Sequence, residues 1–263
     1  MSPLAFFRSP FAAFALSLLL FASFAAAHVQ ESLHIPAGTI LPVSIKHTFS
    51  SNDSSKNHPI EARIMQDVPL PGGDKIPAGA TLSGVVVSTT PSSDGSGSKI
   101  TFRFDKLEFH HQTIPVVTSL RAMAPMVDVQ AAQFPDSPGQ SGTPSAWANT
   151  TQIGGDIRYG IGGDVKNLKK QTVGKGVPSG VLVRISNPPG SLCQGDSDDD
   201  NRLQALWVFS ASSCGIYDSK GLTVVSMGRT EPLGEITLAK DKGELKIDNS
   251  TGMLLRVLRE SAR

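Results

Sequence analysis

The residues able to carry chemistry in this sequence are few and scattered: two cysteines, six histidines and a thin spread of carboxylates. Cys193 and Cys214 lack the Cys-x-x-Cys spacing of a redox centre. In a chain that reads as exported they predict one disulfide, whose constraint on the unfolded chain stabilises by roughly 3 kcal/mol. The histidines are His28, His34, His47, His58, His110 and His111, all in the N-terminal half. No Gly-x-Ser-x-Gly elbow supplies a serine for any of them to activate. His110 and His111 are neighbours, and neighbours on a strand point to opposite faces, so they read as a hairpin tip and not as a metal pair.

The acidic run Asp196-Ser197-Asp198-Asp199-Asp200-Asn201 offers alternating oxygen ligands of the kind calcium takes. Asn201 stands where an EF-hand loop needs glycine and Trp207 where it needs glutamate, so the run reads as a solvated loop. Gly154-Gly155-Asp156 and Gly162-Gly163-Asp164 lack the Gly-Lys-Ser and the following helix of a phosphate cradle and predict two tight turns. Lys166, Lys169, Lys170 and Lys175 read as a solvated polar loop. These residue types assign no catalytic, cofactor or metal site. The enzymatic alternative, a carbohydrate-active or peptide-processing protein, would draw on Asp156, Asp164, Glu231 and Glu235 in a groove between two modules. Glycoside chemistry then requires two of them at a defined separation.

The elements that would position these groups are strands. Ile35-Pro36-Ala37-Gly38 and Ile76-Pro77-Ala78-Gly79 are two copies of one phrase, each followed by a run rich in β-formers. Pro36 and Pro77 preset φ for a turn, and Gly38 and Gly79 supply a position free of steric limits. Ile60, Ala62 and Ile64 alternate with Glu61, Arg63 and Met65, which turns one face of that strand to a core. The next aromatic strand places Ile100, Phe102 and Phe104 on one face and changes phase to Leu107 and Phe109, the mark of a bulge. Further strands are expected at 180–186, 204–210, 222–227, 235–239, 244–247 and 253–258.

Residues 121–150 shift to Ala, Pro, Gln, Ser and Gly without a period and read as a linker, on which Trp147 docks against a neighbouring module. The expected organisation is therefore a signal peptide over 1–27, a β-barrel-like module over 28–120, the linker, and a second β module over 151–263. The first module, taken as His28 to Arg121, is expected to fold alone. Arg8, the apolar stretch Phe11 to Phe24 and Ala25-Ala26-Ala27 carry the signal, which predicts a periplasmic or secreted mature chain with no further membrane span. No cysteine at the processing site accepts a lipid. Lys+Arg 24 against Asp+Glu 23 leaves no basic excess for nucleic acid.

The runs Ile35 to Val43, Ala62 to Val68 and Ile76 to Gly84 resemble the periplasmic barrel of TrbI-type conjugation proteins, which form the ring linking the two membranes in type IV secretion systems. The resemblance spans roughly residues 35–117 and implies an all-β barrel with a role in assembly. The family's N-terminal transmembrane helix and apolar helical hairpin have no counterpart in the pattern of this chain. Gln204 to Phe209 and Gly228 to Pro232 resemble uncharacterised exported bacterial proteins. The whole reads as all-β: a small barrel or sandwich with a duplicated turn-strand unit, followed by a disulfide-containing β module. Its expected role is that of a non-enzymatic envelope scaffold or interaction protein without cofactor, with envelope proteins or a second copy as partners.

Overall fold

Pro36 and Pro77 open the same turn twice. Thr39 N–H donates to Pro36 O at 3.3 Å and Ala80 N–H to Pro77 O at 3.2 Å. Gly38 and Gly79 take φ of 87° and 92°, the left-handed third position of a type II turn that a side chain would strain. Each turn docks on its neighbour in the same way. Gly38 N–H reaches Val257 O and Val257 N–H reaches Thr39 O, just as Gly79 N–H reaches Ile64 O and Ile64 N–H reaches Ala80 O. Two similar turn-strand units therefore lie in one sheet. The computed structural model describes residues 33–93, 96–134, 149–196 and 201–262, so the expected signal over 1–27 and Trp147 lie outside the described residues.

That sheet has ten strands and is nearly closed into a barrel. Its order runs Gly215–Ile216, Thr118–Ala124, Gly252–Val257, Ile40–Ile45, Pro59–Ile64, Thr81–Thr90, Ser98–Phe109, Ile236–Lys240, Leu222–Met227, with Gln112–Pro115 also on Ser98–Phe109. All pairs are antiparallel except Gly215–Ile216 on Thr118–Ala124. Ile60, Ala62 and Ile64 point into the barrel with Phe102, Phe104 and Leu107. The phase change between Phe104 and Leu107 is a bulge: Ser83 pairs with Lys106 and Gly84 with Phe104, leaving Asp105 over. His110 and His111 turn the hairpin at φ of 48° and 60°.

The expected division at residue 150 does not match this sheet. Ile236–Lys240 pairs with Ser98–Phe109, and Gly252–Val257 lies between Thr118–Ala124 and Ile40–Ile45, so strands of the supposed second module complete the first barrel. Met253, Leu255 and Val257 fill its interior, while Leu254 packs outside it with Ile40 and Ala122. A strand buried on both faces reads as a continuous apolar run and discloses no partner. The expected linker likewise begins inside the sheet: Arg121, Ala122, Met123 and Ala124 are all buried. Met126–Ala131 forms a helix whose buried residue is Val129.

Between this helix and Gly215–Ile216 the chain builds a second sheet of six strands, Asn149–Thr151, Ile157–Tyr159, Asp164–Lys166, Thr172–Val177, Gly180–Arg184 and Leu203–Ala205, paired antiparallel in chain order. Lys166 and Lys175 thus belong to strands and not to the expected loop, and the strand foreseen over 204–210 stops at Ala205, with Trp207 in a turn at φ 54°. Gly154, Gly155 and Gly162 do make tight turns, at φ of 101°, 102° and 71°. The sheet is an insertion in the barrel, and the described residues form one compact body. Among the described residues no helix is long and apolar enough to cross a membrane.

Candidate functional site

Two arrangements of buried polar side chains hold the inserted sheet on the barrel, and a third ties turns of the insertion to one another. The first is Gln66, which follows the alternating strand Pro59–Ile64 and is 1% exposed. Its Nε2 donates to Val181 O at 2.8 Å, and its Oε1 accepts from Trp207 N–H at 2.8 Å and Val181 N–H at 3.2 Å. A single amide thus satisfies three backbone groups of the inserted segment. Gly180 makes room for it: a Cβ there would overlap Gln66 Oε1 and lie 2.7 Å from Trp207 Cα. Nearby, Gln204 Oε1 accepts from Ile40 N–H at 3.2 Å.

The second arrangement is a buried ion cluster. Arg121 is fully buried in the barrel strand Thr118–Ala124, and its guanidinium donates to Asn187 Oδ1 at 3.1 Å, Ser186 O at 3.0 Å and Ala211 O at 3.3 Å. Asp196, 5% exposed, faces it at 3.7 Å and also meets Arg229 and Arg256. Arg256 in addition donates to Asp196 O at 2.6 Å. Burial pushes the Arg229 guanidinium down from its ordinary value and Asp196 opposes that shift. Asp196 is the first residue of the acidic run. Its carboxylate is surrounded by guanidinium groups, which repel a cation, so calcium is not what it serves. Ser197 to Asp200 lie outside the described residues.

The disulfide delivers Asp196 to this place. Cys193 and Cys214 are bonded with their Cα atoms 5.9 Å apart, anchoring the 187–196 loop beside Gly215–Ile216. Peptide mapping without reductant is expected to find the two cysteines linked. Reduction is expected to lower stability by roughly 3 kcal/mol and to loosen Asp196 from its arginines, read by denaturant unfolding with and without reductant. Two thiols open to alkylation in the native protein would overturn this.

The third arrangement is the hairpin turn at 152–156. Asp156, 2% exposed, accepts from Ala211 N–H at 2.7 Å, while Ser213 donates to Ile153 O at 2.6 Å. Burial raises the Asp156 carboxyl above its ordinary value and the bond from Ala211 opposes the rise. A raised carboxyl binds its proton more tightly in the folded state. Its contribution to stability is therefore largest below the unfolded value near 4 and declines as pH rises through the folded value. Asp156→Asn removes that titration and keeps an acceptor for Ala211. The stability difference between variant and parent is expected to move in the variant's favour as pH rises from about 4, measured by denaturant unfolding across pH.

Of the four carboxylates that an acid–base site would draw on, only Glu231 and Glu235 come together. Asp156 is spent on the turn, and Asp164 lies exposed on the inserted sheet, 3.4 Å from Thr172 Oγ1. Glu231 and Glu235 line one cavity, in which Arg259 stands 3.8 Å from Glu231 and Arg103 3.7 Å from Glu235. Asp128, on the helix, was not foreseen: burial first, then the neighbouring Asp218, raises its carboxyl. Among the described residues no three His, Cys, Asp or Glu side chains group as metal ligands. Gln66, Gln204 and the Asp196 cluster were also unforeseen, although Arg121 in the apolar run Leu120 to Ala124 is the signature of a buried cation.

One cavity of about 300 Å³ opens where the inserted sheet, the helix and the barrel meet. Arg158 stands opposite Thr150 in the sheet register and donates to its hydroxyl at 3.0 Å. Cross-strand partners share a face, and Gln152, two residues past Thr150, returns to that face. Both line the cavity beside Met65, Trp207 and Val208. Comparison of this chain with protein-family models, curated proteins and solved structures gives no match.

Proposed function

We propose that this chain is an exported, non-enzymatic β-scaffold of the cell envelope that acts by holding partners, and that its barrel is related to the barrel components of type IV secretion and conjugation machinery. The observation that supports this reading is the join between barrel and insertion: Gln66 ties them through three buried backbone hydrogen bonds, and the cavity that opens where sheet, helix and barrel meet is lined by no carboxylate, where an enzyme of the alternative class would hold two facing carboxylates between the modules. The disulfide suits an oxidising compartment. Exposed apolar side chains on the inserted sheet, Ile161 at 78% and Leu168 at 79% exposure, offer contact surface to another protein.

The test is site-specific photocrosslinking in intact cells from position 161 or 168. Discrete adducts with envelope proteins, or with a second copy of the chain, are expected from these positions and not from the solvated His110 tip. A protein that stays monomeric and captures nothing from either position would sink the proposal.

A further inference from the structure

A knob and a hollow of opposite charge stand at the two ends of one strand of the inserted sheet, Thr172–Val177. The knob is the turn that leads into it. Lys170 N–H donates to Asn167 O at 2.8 Å and Asn167 N–H to Gln171 O at 3.0 Å, while Asn167 Oδ1 accepts from Lys169 N–H and Gln171 N–H, both at 3.0 Å. The turn is thus braced by its own asparagine. At its tip Leu168 is 79% exposed, with Lys169 and Lys170 beside it and no carboxylate from Asn167 to Gln171. A single exposed leucine is ordinary. What sets this one apart is its fixed presentation between two cations, together with a hollow of matching polarity elsewhere on the same chain.

The hollow lies where the far end of that strand meets residues 66–78 of the barrel, and its volume is about 370 Å³. Pro69, Val177, Pro178 and Leu182 wall it, with Asp67, Asp74 and Lys75 also in its lining. Asp67 is committed: it accepts from Ala78 N–H at 2.8 Å and from Lys75 at 2.6 Å, and these bonds hold its carboxyl below the ordinary value. It cancels Lys75 and supplies no free acid or base. Asp74 is exposed and has no ion-pair partner among the described residues, which leaves the hollow one uncompensated negative charge. At about 3.3 Å per residue the strand keeps knob and hollow roughly 15–20 Å apart, so neither can serve the other within one copy. We propose that Leu168 of one copy seats in the hollow of the next, its side chain against Pro69, Pro178 and Leu182 and its flanking lysines against Asp74. Two different patches of one chain then meet, so the contact repeats from copy to copy as a row or closes as a ring. Its small area places it among weak, concentration-dependent contacts. The inference rests on the scaffold reading and names how such a scaffold would hold its own kind.

Sedimentation velocity of the chain beginning at His28, from about 1 μM to about 1 mM, tests it. The unaltered chain is expected to sediment faster as concentration rises, towards species larger than a dimer. Leu168→Asp is expected to stay monomeric, and Asp74→Lys to associate about 10-fold more weakly. Leu168→Asp keeps the hollow and Asp74→Lys keeps the knob. An equal mixture, at concentrations where neither associates alone, is therefore expected to form 1:1 pairs that do not grow. Both substitutions are at exposed positions, and thermal midpoints report that each variant folds. The concentration dependence of the unaltered chain stands even where a variant does not fold. A chain monomeric at every concentration, a folded Leu168→Asp that associates like its parent, or a mixture that does not pair overturns the inference. Crosslinks from position 168 to other envelope proteins, in a chain that stays monomeric, would sink this inference alone and leave the scaffold reading standing.

Discussion

Gln66→Leu is expected to destabilise the protein by about 3–5 kcal/mol, since each buried group left without a partner costs about 1–3 kcal/mol. Leucine is larger than glutamine by only about one methylene, so the loss of polar partners outweighs the change in packing. What changes is that Val181 N–H, Val181 O and Trp207 N–H lose their partner at once, in a place that water does not reach. Such a loss is a large fraction of the roughly 5–15 kcal/mol that holds a domain together. Denaturant unfolding with two probes distinguishes the possible outcomes. A single transition at lower midpoint means that barrel and insertion still unfold together. Two separated transitions mean that Gln66 alone coupled them. An unchanged midpoint would show that the junction is held by its apolar contacts and that the Gln66 hydrogen bonds carry no weight for function. Gly180→Ala, which drives a Cβ into Gln66 Oε1, is expected to act in the same direction.

The dependence on one amide explains why the junction was invisible in the sequence while much of the barrel was legible. The alternation of Ile60, Ala62 and Ile64, the bulge after Phe104 and the duplicated turn are local: period, phase and turn chemistry are written within a few residues. Gln66 pairs with backbone groups more than a hundred residues away, and any residue type presents those groups, so no pattern marks them. The inserted sheet failed to register for a different reason. Ile157–Tyr159 and Asp164–Lys166 are three residues each, too short to show a period, and the glycines between them announce turns without announcing what the turns join. Arg158 and Gln152 read as ordinary polar residues until the register places them on one face. The disulfide was legible because only two cysteines exist, but its role in bringing Asp196 among Arg121, Arg229 and Arg256 depends on the barrel.

Removal of residues 252–263 is expected to abolish cooperative folding. Composition placed these residues in a separate C-terminal module, yet Gly252–Val257 is hydrogen-bonded on both sides within the barrel. Met253, Leu254, Leu255 and Val257 are all fully buried, and at about 1.5–3 kcal/mol for each apolar side chain taken from water the strand supplies an amount comparable with the whole stability of a domain. Its loss also opens the edges of Thr118–Ala124 and Ile40–Ile45, two apolar strands with unpaired backbone groups, which favours aggregation over refolding. The same reasoning reverses the expectation for the fragment His28 to Arg121, which lacks both Gly252–Val257 and Ile236–Lys240 and is now expected to show no cooperative transition. Circular dichroism and calorimetry of both truncations against the chain beginning at His28 decide the matter. A sharp transition in the N-terminal fragment would mean that Ile40–Ile45 and Ser98–Phe109 find other partners when the C-terminal strands are gone, and that the two turn-strand units alone specify a barrel.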